Sequence, residues 1–163
     1  MTSSALGVGA AVLMLAVGGC GSVETRASEP RAAESVPTPA PAPTGPPWPA
    51  YGPSDYTYDL ALECFCADVG VRYRVVVRDG AVESVVYAAR GRGHVAGQAV
   101  QPDASWLRVT INDIIELANN ERIAEAQVDW PTDQEYPRRV WIDRDKNTID
   151  EEIGYVISRV TPA

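Results

Sequence analysis

Histidine is nearly absent from this sequence, which holds His94 alone, and basic charge is short: 14 Lys and Arg stand against 22 Asp and Glu, a net charge of -8. Nucleic acid is therefore not an expected partner, because phosphate neutralisation needs clustered cations. A polybasic membrane-surface helix is excluded on the same ground. The acidic balance suits a soluble monomer. With one imidazole, any nucleophile–base–acid triad has to run through His94, and no spacing supplies the four donors of a closed zinc site. Neither a metal nor another cofactor is expected, and no catalytic constellation is found. Cysteine is scarce too, at three residues, and none of them forms a C-x-x-C pair. No apolar run reaches the roughly 20 residues of a spanning helix.

The longest apolar run, ALGVGAAVLMLAV from Ala5 to Val17, suits the roughly 7–15-residue core of a signal peptide. It ends in Val17-Gly18-Gly19-Cys20. Small residues before a cysteine in that place resemble the lipobox of bacterial lipoproteins. The resemblance implies cleavage after residue 19 and a diacylated Cys20 as the mature N-terminus. It also implies a protein anchored outside the cytoplasm, at the outer membrane or the outer leaflet of the plasma membrane, since Gly21-Ser22 rather than Asp follows the cysteine. The plainer alternative is a secretory signal with a chance cysteine; the leader MTSSALG carries no Lys or Arg.

Residues 20–53 read as a tether. Pro37, Pro39, Pro41 and Pro43 alternate with Thr and Ala, and Pro46, Pro47, Pro49 and Pro53 follow. Proline cannot donate to a ladder and pushes its predecessor to extended geometry. A disordered to polyproline II spacer is expected, with Trp48 and Tyr51 marking where packing begins. The folded domain is expected over 54–163, one modest core.

Within it Tyr56, Tyr58, Leu60, Leu62, Cys64 and Cys66 recur at period two and predict a strand with one apolar face, both cysteines on it. Two β-branched runs flank Asp79-Gly80, a two-residue hairpin signal. That register pairs Val77 with Val82, Val75 with Ser84 and Tyr73 with Val86 inside, and Arg72 with Tyr87 and Arg74 with Val85 outside. Residues 89–101 read as a glycine-rich loop. Thr110 caps a helix with Asp113 in its first turn, an apolar face of Ile111, Ile114, Ile115 and Ala118, and an end at Asn119-Asn120. Residues 124–130, 138–142 and 149–160 predict three further strands, the last two joined by a turn within 143–147. The sum is an α+β domain in the order βββαβββ, about six antiparallel strands with one helix on one face.

These pieces together resemble a family of bacterial envelope lipoproteins carrying a domain of unknown function. The resemblance rests on Tyr56-Thr57-Tyr58, Cys64-Phe65-Cys66, the hairpin around Asp79-Gly80, Thr110 to Asp113, Tyr136-Pro137, Ile142-Asp143 and Asp150-Glu151-Glu152 ahead of Tyr155. It implies a small sheet-plus-helix domain and no activity.

Four readings of Cys64 and Cys66 stay open: a structural disulfide, two free buried thiols, a redox pair, or part of a metal site. An extended strand sets them roughly 6.6 Å apart, close to the disulfide limit of about 6.8 Å, so a bond needs the strand to pinch or end there. Asp143-x-Asp145-x-Asn147 matches the start of a calcium loop. Thr148 and Gly154 stand where that loop needs Gly and Glu, so a polar turn is the better reading. Asp150-Glu151-Glu152 reads as a solvated approach to a strand. Arg90-Gly91-Arg92-Gly93-His94 is not read as a phosphate cradle, since no helix start follows directly. The functional expectation is a lipid-anchored envelope protein whose domain binds or supports rather than catalyses, its partner an unidentified envelope protein or ligand. The alternative is an envelope thiol–disulfide oxidoreductase using Cys64 and Cys66.

Overall fold

The computed structural model describes residues 43–163; the expected signal segment 1–19, Cys20 and the tether up to residue 42 lie outside the described residues. The elements are β1 (Tyr56–Cys64), β2 (Arg72–Arg78), β3 (Ala81–Tyr87), a single 3-10 turn at Ser105–Leu107, α1 (Ile111–Asn119), β4 (Glu125–Asp129), β5 (Arg139–Asp143) and β6 (Ile153–Pro162). The strands form one antiparallel sheet in the order β3-β2-β1-β6-β5-β4. The α+β class and the strands–helix–strands order are as the pattern of apolar residues predicts.

Period two decides the faces. Tyr56, Tyr58, Leu60 and Leu62 of β1 turn to the core with Tyr73, Val75 and Val77 of β2, Val140 and Ile142 of β5, and Tyr155 and Ile157 of β6. Helix α1 lays Ile111, Ile114, Ile115 and Ala118 on this face and packs over the β4–β5 side. Its start is over-determined. Thr110 and Asp113 form a capping box, with Thr110 N–H donating to the Asp113 carboxylate at 2.7 Å and Asp113 N–H to Thr110 Oγ1 at 3.0 Å. The Ile111 N–H, otherwise one of the orphan donors of a helix N-terminus, donates to the Tyr56 hydroxyl at 3.0 Å. The Tyr58 hydroxyl donates to the Val109 carbonyl. Two strand tyrosines thus fix the height of the helix above the sheet.

Two expectations are corrected. The β2–β3 hairpin turns at Asp79-Gly80, both at positive φ (49° and 73°), but the register slips one residue at Glu83. Val77 pairs with Val82, while Val75 meets Val85 and Tyr73 meets Tyr87. A bulge there keeps Ser84 off the core and brings Val85 in. The β5–β6 connection is longer than a turn within 143–147: β6 begins at Ile153, and Ile149, expected in the strand, is 85% exposed.

On the opposite, solvent-facing side of the sheet, Asp59 sits on β1 with its side chain fully buried. Arg74 of β2, its cross-strand partner, donates to one carboxylate oxygen. Arg159 donates to the other at 3.4 Å. Strand alternation alone points Arg159 away from Asp59; the irregularity in the β1–β6 ladder and its positive φ of 52° re-aim it. Asp59→Ala leaves two partly exposed guanidiniums facing each other. It is expected to cost about 2–3 kcal/mol, below the range for breaking a fully buried pair, read as a lower urea midpoint at unchanged m; a loss under about 0.5 kcal/mol, the range of an ordinary surface change, refutes the central role given to Asp59.

The tyrosines supply a pH prediction. Burial raises the hydroxyls of Tyr56, Tyr58, Tyr73, Tyr136 and Tyr155 above their ordinary value, and burial with the charges of Tyr136, Tyr56 and Glu135 takes Tyr51 to about 12. Unfolded tyrosines ionise near 10, so above that pH the folded state holds more protons. Stability is intact below about pH 10 and falls as pH rises toward 12. Tyrosinate absorbance from these six residues is expected to rise together with loss of the far-UV CD signal; ionisation of all seven tyrosines near pH 10 with the CD unchanged counts against it.

Candidate functional site

Ordered packing begins ahead of the first strand. Trp48 and Tyr51 lie along α1, and two asparagines hold them. Asn119 accepts from the Trp48 N–H at 2.7 Å and donates to the Trp48 carbonyl at 2.9 Å. Asn112 does the same for Tyr51, at 2.8 and 3.0 Å. Each amide imitates a ladder partner, offering one acceptor and one donor to a single extended residue. The spacing works because seven helical residues rise about 10.5 Å and three extended residues about 9–10 Å. The intervening Pro49 needs no donor site, having no N–H.

This segment forms one wall of a groove. Trp48 stacks on Trp130 with ring centroids 5.9 Å apart and planes within 10°. Tyr51 meets Tyr136 edge-on at 5.8 Å and Tyr56 at 5.0 Å. The loop after β4 is tied to itself: Trp130 Nε1 donates to the Gln134 carbonyl and Gln134 Nε2 to the Tyr136 carbonyl, both at 3.1 Å. Tyr51, Trp130, Tyr136 and Pro162 line a space of about 730 Å³ with Asp133 and Glu135 beside them. That volume falls in the usual range of ligand clefts, about 300–1,000 Å³. Its rim is acidic: after burial, the charge of Asp133 raises the Tyr136 hydroxyl, and Glu135 adds to the rise at Tyr51 behind burial, Tyr136 and Tyr56. Aromatic faces beside carboxylates favour a cationic group.

The cysteines lie at the other end of β1. The strand ends at Cys64, the chain pinches to a Cα–Cα separation of 5.2 Å, and Cys64 and Cys66 are joined as a disulfide. Cys64 touches the core, but Cys66 is exposed in the turn beyond the strand, which corrects the expectation that both share the leucine face. Phe65 between them is 86% exposed. The turn is closed by Val69 N–H to the Cys66 carbonyl at 3.3 Å and Val71 N–H to the Asp68 carbonyl at 3.0 Å.

A family model described as a family of unknown function (DUF6174) matches residues 42–162. The chain belongs to that family. No curated protein and no solved structure gives a match. The matched span begins ahead of Trp48 and so takes in the clasped segment as well as the sheet and helix. Within this DUF6174 domain the remaining sequence candidates stay apart. Asp145 accepts from Asn147 N–H and Nδ2 at 3.0 Å and from Thr148 Oγ1 at 3.1 Å, a self-satisfied polar turn. Asp143 Oδ1 and Glu151 Oε1 are buried without a hydrogen-bond partner, yet among the described residues no three His, Cys, Asp or Glu converge on a metal position. His94 stacks on Tyr87 with centroids 3.8 Å apart. The groove was not foreseen. Tyr136-Pro137 and Trp48 hint at it in sequence, while the pairing of Asn112 with Tyr51 spans 61 positions and leaves no local trace.

The disulfide closes a ring of only three residues, for which the chain-entropy relation gives about 1.6 kcal/mol. The Cys64→Ser/Cys66→Ser double variant is expected to lose about 1–2 kcal/mol and to fold; complete loss of the cooperative urea transition contradicts the modest role assigned to this link.

Proposed function

We propose that this protein is a lipid-anchored component of a bacterial envelope, attached through an acylated Cys20, whose DUF6174 domain binds a ligand rather than transforming one. The groove at Trp130 and Tyr136 carries the reading: a cleft of about 730 Å³ with aromatic walls and two carboxylates, set against the segment where the chain from Cys20 joins the domain. The ligand chemistry that fits is an amine-bearing group, its charge facing Asp133 and Glu135 and its methylenes on the rings.

The oxidoreductase reading draws on one observation, the exposure of Cys66. It lacks the usual activating surroundings of a reactive thiol, since the pair ends a strand rather than starting a helix. Titration of the chain against glutathione, read by thiol alkylation and mass, separates the two readings: a bond left intact at the envelope redox poise removes the oxidoreductase reading.

Two measurements test the proposal on the full-length chain. Radioactive palmitate is expected to label the protein and to fail in Cys20→Ala; label that persists refutes the anchor. Tetralysine is expected to change the fluorescence of Trp48 and Trp130 saturably and tetraglutamate is not. The Asp133→Asn/Glu135→Gln variant is expected to lose the response, and a response that survives it sinks the groove as the binding site.

A further inference from the structure

At the opposite end of β1 from the groove, the chain gathers positive charge against its overall sign. We propose that the cavity bounded by Arg72, Arg90, Arg92 and His94 is a binding site for a phosphate-type oxyanion, a site independent of the aromatic groove. The space is about 270 Å³ and is otherwise lined by Gly70, Val71, Ala89 and Gly91. No carboxylate lines it, in a chain whose net charge is -8.

The fold brings the cations together from positions 18 to 20 residues apart. Arg72 opens β2, directly after the disulfide turn. Residues 91–94 fold as a tight reverse turn, with Gly91 and His94 exchanging backbone hydrogen bonds at 3.3 and 2.8 Å and Arg92 and Gly93 at φ 45° and 86°. Stacking on Tyr87 holds His94 against the end of β3. Arg92 reaches across to donate to the Ala67 carbonyl at 2.6 Å, so one guanidinium nitrogen is anchored while the rest of its fork stays available. The ion pairs among the described residues use Arg74, Arg138, Arg139, Lys146 and Arg159; Arg72, Arg90 and Arg92 belong to none. In the disulfide turn Asp68 accepts from the Tyr73 hydroxyl and Trp106 Nε1, each at 3.0 Å.

Three arginines line the space, and a guanidinium supplies the planar, bidentate hydrogen bonding that phosphate oxygens accept. A side chain at Gly70 or Gly91 would meet no atom within 4 Å, which leaves room for the anion against the backbone.

Arg92 offers a test that separates binding from folding. A non-glycine residue at φ 45° is in the left-handed region that favours glycine, so Arg92→Gly is expected to leave the melting temperature unchanged or raise it. Full-length chain titrated with inorganic phosphate by calorimetry is expected to show saturable binding, weakened about tenfold or more by Arg92→Gly and by Arg72→Gln, which is the loss of one charge-assisted bond. Arg122→Gln, remote from the cavity, is expected to change nothing. No saturable binding overturns the proposal, as does equal weakening by Arg122→Gln. Vesicles, presented to the Cys20→Ala chain so that no acyl anchor contributes, distinguish the sources of the phosphate. Binding to phosphatidylcholine vesicles containing phosphatidic acid, but not to phosphatidylcholine alone, and weakened by Arg92→Gly and Phe65→Ser, assigns a lipid headgroup. Phosphate binding without vesicle binding assigns a soluble phosphate, and either result upholds the site.

Discussion

A helix of nine residues is about 13.5 Å long, and a sheet of six strands is about 24 Å wide at 4.8 Å per strand. One helix cannot cover that sheet. The rest of the apolar face has to be closed by irregular chain, and most of what is distinctive here follows from how. The clasped segment around Trp48 and Tyr51 covers one flank. Val100, Ala104 and Leu107, on the long connection between β3 and α1, cover the other. That connection also runs back beside β3, where Ala99 bridges Val86 and shields part of an edge strand. Irregular chain leaves seams: the aromatic groove beside the clasped segment and the arginine cavity between the disulfide turn and the connection after β3.

The two seams differ in sign. The groove gathers Asp133 and Glu135 around tyrosine and tryptophan; the cavity gathers Arg72, Arg90 and Arg92 around glycine. They lie at opposite ends of β1, and that strand is also the sheet's central electrostatic element, since Asp59 is held between Arg74 and Arg159 midway along it. A net acidic chain thus carries a local field opposed to its total, and total charge predicts only the partners met at long range.

What the sequence disclosed follows contact range. The helix, its cap and its buried face depend on neighbours within four residues and were legible from Thr110 to Asn120. The alternation of β1 and the Asp-Gly turn were legible for the same reason. The bulge at Glu83 was not, because β-branched residues at 85 and 86 let either register look apolar; the choice is made by which valine the core accepts. The end of β1 was read one step too far, since the period-two pattern runs on through Cys66 while the disulfide turns the chain. Of the candidate sites, Cys64 and Cys66 were visible as a pair. The groove and the cavity are assembled from segments tens of residues apart, and no local pattern marks Asn112 as a partner for Tyr51.

The asparagine clasps also have a mechanical consequence. The segment from Trp48 to Tyr51 runs antiparallel to α1, fixed at both ends by two pairs of hydrogen bonds. A pull along the chain in line with the helix axis loads all four bonds together, in shear, whereas a sideways pull opens the Trp48 pair first and then the Tyr51 pair. Strength against tension therefore depends on direction. Because Tyr51 is also a wall of the groove and Trp48 stacks on its Trp130, peeling the clasp dismantles the cleft before it disturbs the sheet, so tension on the chain and occupancy of the groove oppose each other.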